Sequence, residues 1–284
     1  MILNILVPTD FSHDAYNALH YSTQLYKHQK CTFHILHAYD HQSHFKAEFK
    51  RSKKTKKLQE FLSDRTAECL LETYHKIIAD TGANTLHQFV TVSKNAPLEK
   101  AVKTYMTLNT IDLIVMGTKG RTGAVDIFVG GNTIQMVKSK IDCPIFCIPK
   151  QIDFNPISQV GYITSFKHPL EKFSLSIVKS LASYYEASIH IIHVCDDEAI
   201  SISQEKNKIL LGNYFEDSCL RFHVIPREKS KAKTVAKFAR THEIDVLAMC
   251  YYPHYFLDKL FREPVVLDLS IYTNIPLLIL PTQE

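Results

Sequence analysis

Glycines concentrate in one short stretch of the sequence. Five of the eight glycines fall within fifteen residues: Gly117, Gly120, Gly123, Gly130 and Gly131. Glycine lets backbone amides approach a ligand closely, and amides at a helix N-terminus bind anions such as phosphate. The stretch follows an apolar run, 113–116, and precedes a segment with helical apolar spacing. It lacks both the lysine of a Walker loop and the Gly-x-Gly-x-x-Gly spacing of dinucleotide sites, so it predicts a phosphate site of another kind.

A second group of chemically useful residues lies near the N-terminus. An apolar run, residues 2–7, predicts a buried parallel strand, and Pro8, Thr9 and Asp10 follow it directly. Ser12 then predicts the N-cap of a helix. Asp10 is therefore expected at the carboxyl end of a strand, where ligands bind in open α/β sheets. The sequence leaves open whether Asp10 is a ligand-binding carboxylate or a residue that only caps the turn.

The composition is that of a globular protein of moderate charge. The 284 residues are 45% hydrophobic and 22% charged, and the net charge of +4 is too small to indicate a nucleic-acid partner. No apolar run reaches the length of a membrane span and the N-terminus lacks signal-peptide features, so we expect a cytoplasmic protein without a membrane partner. Three residues separate Cys143 from Cys147, rather than the two of a metal or redox pair. We therefore expect reduced cysteines and no metal site.

Strand and helix patterns alternate along the chain. Alternation of this kind is typical of a parallel sheet covered by helices through right-handed crossovers. The same order recurs after a polar linker, 150–156, so we expect an α/β fold of two tandem doubly wound parallel five-stranded sheets flanked by helices, in domains 1–150 and 156–284. The predicted strands are 2–7, 32–38, 86–92, 113–116 and 145–148 in the first half, and 160–164, 188–195, 220–225, 245–250 and 275–280 in the second.

Two sequence anchors show that the second half repeats the first. The segment EIDVLAMC repeats TIDLIVMG, and TNIPLLILP repeats KIDCPIFCIP. The second half has no acid in the place of Asp10, and no glycine follows Cys250. Residues 251–256 read Tyr-Tyr-Pro-His-Tyr-Phe instead. Tyr and Phe fill space, and Pro removes a backbone donor, where a phosphate would need amides. We therefore expect the second domain to be structural or dimerising.

Together, the two groups of residues resemble a known family. The Gly-x2-Gly-x9-Gly spacing that begins at Gly117, paired with the segment 7–12, is similar to the motifs of universal stress proteins, in which tandem two-domain members are common. This resemblance implies a Rossmann-like fold of the adenine nucleotide alpha hydrolase type. It also implies a stress-response protein whose N-terminal domain binds ATP or a related adenine nucleotide, with Mg²⁺ if the nucleotide binds.

The resemblance also implies a set of nucleotide-binding residues. The residues after the first strand would lie beside the adenosine, the end of the second strand would edge the base, and the glycine stretch would line the ribose and phosphates. The full set is Pro8, Thr9, Asp10, Ala38, Met116, Gly117, Gly120, Gly130, Gly131, Asn132 and Thr133. Gly131 stands where the family has Ser or Thr, and losing one hydrogen bond to a charged oxygen costs about 1.5–3 kcal/mol, so weakened binding is expected. The two repeats are expected to pair within the chain, and a homodimer is compatible with the resemblance.

Two other functions stay open from the sequence. Gly131 and the aromatic-rich second half favour an interaction or regulatory protein with vestigial sites that binds no nucleotide. An ATPase or nucleotidyl-transfer enzyme is disfavoured, because the sequence shows no Walker lysine, no paired carboxylates and no base beside the glycine stretch. We expect no catalytic residues and at most slow ATP hydrolysis, and we interpret His13 and His37, near strand ends, as structural.

Overall fold

A computed structural model describes residues 2–39, 53–118, 131–150, 152–195, 200–228, 231–251 and 275–282, with the backbone alone for 53–59, 131 and 134. Helices and strands alternate along these residues. In chain order they are β1 Leu3–Pro8, α1 His13–Leu25, β2 Cys31–Tyr39, α2 Lys53–Thr81, β3 His87–Asn95, α3 Leu98–Met106, β4 Leu113–Gly117, α4 Gly131–Lys138, β5 Ile145–Ile148, β6 Gln159–Ile163, α5 Lys172–Tyr185, β7 Ser188–Cys195, α6 Ile202–Tyr214, β8 Leu220–Pro226, α7 Lys231–Thr241, β9 Val246–Cys250 and β10 Leu277–Leu280. Among these helices, none is long and apolar enough to cross a membrane.

Contacts divide the chain into two compact units. Unit 1 comprises Met1–Thr118, Gly131–Cys143 and Gln151–Phe154, and unit 2 comprises Lys119–Gly130, Pro144–Lys150 and Asn155–Glu284. β5 is thus a strand of unit 2, although it closes the first half of the sequence. The domain limits 1–150 and 156–284 remain predictions from the sequence.

Unit 1 contains a parallel sheet with the strand order β3-β2-β1-β4. β1 pairs in parallel with β2 on one side and with β4 on the other, and β2 pairs in parallel with β3. Ile5, Leu6 and Val7 in the centre of β1 are 0% exposed, as a strand covered on both faces requires. The central position of β1 therefore explains why the N-terminal run is almost continuously apolar.

Unit 2 contains a mixed sheet with the strand order β5-β10-β9-β6-β7-β8. The pairs from β10 to β8 are parallel, but β5 pairs with β10 in antiparallel orientation, with Phe146 opposite Leu278. The predicted α/β class, mostly parallel strands flanked by helices, is confirmed. The antiparallel pair was not predicted, because a short apolar run does not encode the direction of its partner.

The sequence anchors of the two halves perform the same structural task. In unit 1, Asn4 N donates to Asp112 Oδ2 at 2.7 Å and Asp112 N donates to Asn4 O at 2.9 Å. In unit 2, Gln159 N donates to Asp245 Oδ2 at 2.9 Å and Asp245 N donates to Gln159 O at 2.9 Å. Each aspartate therefore ties the start of the fourth strand of a repeat to the start of its first strand.

Helix starts follow local capping chemistry. Ser12 Oγ accepts from Ala15 N at 3.3 Å, which confirms Ser12 as the N-cap of α1. α6 begins at Ile202, because Ser201 and Gln204 form a capping box at that point. The sequence also predicts a helix over 265–272, and this segment lies outside the described residues.

Candidate functional site

The carboxyl ends of β1, β2 and β4 meet at one edge of the unit 1 sheet. Pro8 in β1 lies opposite Leu36 in β2, and Leu6 lies opposite Ile114 in β4. From β1 the chain proceeds to β2 and β3 on one side and then crosses to β4 on the other, which makes the β1–β4 boundary a topological switch point. The predicted site residues that the structure brings to this edge are Pro8, Thr9, Asp10, Ala38, Met116 and Gly117.

The turn after β1 is fixed by its own side chains. Thr9 N donates to Leu36 O at 2.8 Å, and Thr9 Oγ1 accepts from Phe11 N at 3.0 Å. Asp10 Oδ1 accepts from Ser12 N at 3.0 Å, and Phe11 adopts a left-handed φ of 61°. Asp10 therefore does cap the turn, as one of the two sequence interpretations held. Its side chain is nevertheless exposed, so this role leaves the carboxylate at the surface.

An aromatic group lies beside this turn. His37 Nδ1 is 2.7 Å from Thr9 O, and because a carbonyl only accepts, Nδ1 carries the proton. The ring centroids of Phe11 and His37 are 4.4 Å apart. The ring of Tyr39 stacks on that of His37, with 6.2 Å between the centroids. Sequence reasoning gave Phe11 and Tyr39 no role at the site. The contact of His37 agrees with its structural interpretation.

The same turn recurs in unit 2. Phe166 N donates to Thr164 Oγ1 at 3.0 Å, His193 Nδ1 lies 2.9 Å from Thr164 O, and Phe166 has a φ of 56°. The rings of Phe166 and His193 lie 5.1 Å apart. The signal was present in the sequence, since TDF and HILH of the first half recur as TSF and HIIH. The Phe–His pair is therefore a property of the repeated fold.

The turn of unit 2 differs where a ligand would bind. Ser165 takes the place of the acid, and its carbonyl accepts from Gln204 Nε2 at 2.8 Å. The carbonyl of Phe166 accepts from Asn207 Nδ2 at 2.8 Å. Two amides of α6 thus occupy the carbonyls of this turn, and no carboxylate is present in it. The aromatic segment predicted to fill the second site, 252–256, lies outside the described residues.

Gly117 is required by packing at the end of β4. A Cβ atom built at this position would lie 2.3 Å from Asp14 O, 2.6 Å from Asp14 C and 3.1 Å from Ala15 N, all backbone atoms of the first turn of α1. Four residues separate β1 from α1, whereas eight separate β6 from α5 in unit 2. With this longer connection unit 2 accommodates a side chain at the matching position, Cys250, whose Sγ is 3.3 Å from Tyr162 Oη.

The remaining predicted residues lie at the start of α4 or outside the described residues. α4 begins at Gly131. In its first turn Asn132 is exposed, whereas Thr133 is buried with 1% of its surface exposed. Met116 is 5% exposed, so its side chain belongs to the core and only its backbone is available at the edge. Gly120 and Gly130 lie outside the described residues. Within the described ranges, no group of three or more His, Cys, Asp or Glu side chains is placed to hold a metal ion.

Solved structures with the same fold include universal stress proteins. A universal stress protein from Archaeoglobus fulgidus DSM 4304 has a TM-score of 0.68 at 14% identity, covering 97% of both chains. A putative universal stress protein from Pseudomonas aeruginosa UCBPP-PA14 has a TM-score of 0.54 at 10% identity, covering 98% of this chain and 92% of its own. The cytoplasmic domain of a prokaryotic cation chloride cotransporter has a TM-score of 0.50 at 10% identity, covering 99% and 96%. These identities show a shared fold alone.

Sequence comparison identifies the family. A comparison with curated protein sequences found no match. The sequence profile described as "Universal stress protein family" matches residues 1–149, which is more than half of the chain. The matched part contains both the turn after β1 and the whole glycine stretch. The chain belongs to the universal stress protein family.

Proposed function

We propose that unit 1 binds ATP or a related adenine nucleotide at the shared edge of β1, β2 and β4, and that the protein serves in a stress response. The observation that carries the proposal is the topological switch point with an exposed carboxylate, Asp10, directly beside it. The family match supports the proposal because it covers the same half of the chain.

The chemistry of the edge suits a nucleoside phosphate. The Asp10 carboxylate is held in place by the amide of Ser12 and is exposed, so it is preorganised to accept hydrogen bonds from ribose hydroxyls. The start of α4 offers the positive end of a helix dipole and the exposed amide of Asn132 to phosphate oxygens. Gly131 supplies an amide there but no hydroxyl, so affinity is weaker than in a site with Ser or Thr. Mg²⁺, when bound, would enter with the nucleotide and neutralise phosphate charge.

Unit 2 is proposed to be structural. Ser165 replaces the acid, and side chains of α6 already occupy the carbonyls of the matching turn. All seven cysteines lie within the described residues and none forms a disulfide, which supports a reducing, cytoplasmic location. Pairing of the two repeats within the chain, and a homodimer, remain predictions from the family resemblance.

Calorimetric titration with ATP tests the nucleotide proposal. Asp10→Asn keeps an oxygen for the amide of Ser12 but removes the charge, so we expect affinity to fall about ten- to a hundredfold, the equivalent of about 1.5–3 kcal/mol. Ser165→Ala is the matched control, because it changes the corresponding turn residue of unit 2 and should leave affinity unchanged. Absence of binding to the wild-type protein at millimolar ATP would overturn the proposal.

A second function is favoured by specific contacts. Packing against α1 accounts for Gly117, and the hydrogen bond to Ser12 accounts for Asp10, without any ligand. These contacts support an interaction or regulatory protein whose nucleotide site is vestigial. On that account ATP does not bind, and Asp10→Asn and Ser165→Ala behave alike in titration. On the leading account only Asp10→Asn changes affinity, and any hydrolysis of ATP is slow.

A further inference from the structure

Three imidazoles lie together in unit 2, and we name them the histidine cluster: His190 in β7, His223 in β8 and His242 directly after α7. Their ring centroids are 5.0 Å apart for His190 and His223, 5.9 Å for His190 and His242, and 5.3 Å for His223 and His242. The ring of Phe238 stacks on His242 at 3.8 Å and closes the cluster on the side of α7. The cluster takes no part in the site proposed above.

The hydrogen bonds of the cluster define a neutral state. His190 Nε2 is 2.7 Å from Gln159 Oε1, an oxygen that only accepts, so Nε2 carries the proton. His190 Nδ1 is then an acceptor, and it lies 3.1 Å from His223 Nε2, which donates to it. The planes of the two rings are nearly parallel, with 5° between them. This assignment follows from the hydrogen-bond network; it leaves His190 uncharged and is compatible with an uncharged His223.

The surroundings of His190 disfavour positive charge. His190 is 1% exposed. The groups that act on it from β8 and from the end of α7 are basic: Arg221, which lies opposite it in register, His223 and His242. Asp245, the acid that precedes β9, accepts from the backbone amides of Ser158 and Gln159 at 2.7 and 2.9 Å. Burial lowers the pKa of His190 to about 4, with His223 and Arg221 contributing, and burial also lowers the pKa of His223.

We propose that the histidine cluster is a proton-sensitive device that loosens β8 from β7 when the pH falls below about 6. The first added proton can be shared between the two rings as an N–H⁺···N hydrogen bond. A second proton places an N–H on both nitrogens, which face each other across 3.1 Å in a buried site beside Arg221. Among the described strands, β8 lies at the edge of the unit 2 sheet and pairs with β7 alone, so its release breaks one strand interface.

Unit 1 provides an internal comparison. Its register places Val92 where unit 2 has His223, because Val92 lies opposite Leu36, two residues after His34. His34, the counterpart of His190, has its Nδ1 2.8 Å from Tyr105 Oη. Burial also lowers the pKa of His34 and of His87 in β3. Unit 1 therefore also responds to acid, but these two imidazoles contact Tyr105 Oη and Tyr26 O rather than each other. We therefore expect unit 1 to lose less amide-exchange protection than unit 2 when the pH falls.

Amide hydrogen exchange at pH 7.5 and pH 5.0, corrected for the intrinsic exchange rate, tests the proposal on the intact protein. A folded pKa of about 4 against an ordinary value of 6.5 means that stability is complete above pH 6.5 and declines as the pH falls toward 4. For His190 alone this predicts that protection of β7 and β8 falls on the order of 30-fold between the two pH values. Protection of β2 and β3 in unit 1 should fall less.

Two variants locate the response. His190→Gln keeps a donor for Gln159 but does not titrate, so the acid-induced loss of exchange protection in unit 2 should shrink to that of unit 1. His223 is the partly exposed partner of His190. His223→Gln keeps a donor for His190 Nδ1 but cannot be protonated, so it should also reduce this loss of protection. His28→Gln, at an exposed position in unit 1, is the control and should leave the response of unit 2 unchanged.

Two outcomes would overturn the proposal. One is a wild-type protein in which β7 and β8 lose no more protection than β2 and β3. The other is a His223→Gln variant that retains the full wild-type fall. If His190→Gln does not fold, proton NMR titration of the wild-type imidazoles replaces it, and protonation of the cluster without any change in the β8 amides contradicts the device.

Discussion

Replacement of Gly117 by alanine should destabilise unit 1 through α1. The added Cβ would lie 2.3 Å from Asp14 O and 2.6 Å from Asp14 C. These are main-chain atoms in the first turn of a helix that Ser12 caps, so they cannot rotate away as a flexible side chain does. Either α1 or β4 must shift, and the two elements are in direct contact.

The expected loss follows from the geometry. Overpacking in a well-packed interior costs about 1–3 kcal/mol, and a contact with main-chain atoms belongs at the upper end, so we expect a loss of about 3 kcal/mol. Urea unfolding measures the change in the free energy of unfolding, and amide exchange in α1 and β4 assigns it to unit 1.

Gly212→Ala is the matched control for this substitution. Its added Cβ meets only ring atoms of Phe222, at 3.5 and 3.8 Å, in the last turn of α6. Alanine within a helix stabilises by about 0.5–1 kcal/mol relative to glycine, so this variant should match or exceed the wild type. A Gly117→Ala protein as stable as the wild type would refute the close approach of α1 to β4, and with it the packing explanation of this glycine.

Three further predictions follow from described contacts. Phe146→Ala empties a buried position opposite Leu278 and should lower the free energy of unfolding by about 3–5 kcal/mol. Amide exchange should show this as lost protection in β10, and unchanged protection would contradict the β5–β10 pairing. In thiol labelling the exposed Cys219 should react first. Burial raises the thiol pKa of Cys31 and of Cys147 to about 12, so these two should react only on unfolding. Comparable labelling rates for the three thiols would refute this prediction. Asp112→Ala removes the acceptor of one backbone amide and Asp245→Ala that of two, so each should lower the free energy of unfolding by about 1–3 kcal/mol. An effect below about 0.5 kcal/mol in urea unfolding would contradict the shared role of the two anchors.

Much of the fold was predictable because its signals are local. Buried parallel strands appear as continuous apolar runs, and β1 was placed within one residue of its observed limits. The anchors at Asp112 and Asp245 revealed the repeat, and the structure explains them as ties between strand starts. The antiparallel pairing of β5 with β10 carries no such signal, since both are four-residue apolar strands that fit either direction.

The site was less predictable because its residues serve two purposes. From sequence, Gly117 indicated close approach of a ligand, whereas the structure shows close approach of α1. That distinction depends on tertiary packing and on a connection four residues shorter than its counterpart in unit 2. The histidine cluster was missed for a similar reason, since its three members come from separate elements and become neighbours only in the folded unit.

A crystal structure of the protein grown with millimolar ATP and Mg²⁺ tests the central claim most directly. We expect one nucleotide per chain, in unit 1, with its ribose beside Asp10 and its phosphates toward the start of α4. We expect no nucleotide at the Ser165 turn of unit 2. A structure without nucleotide in unit 1, or with nucleotide in unit 2 alone, would contradict it.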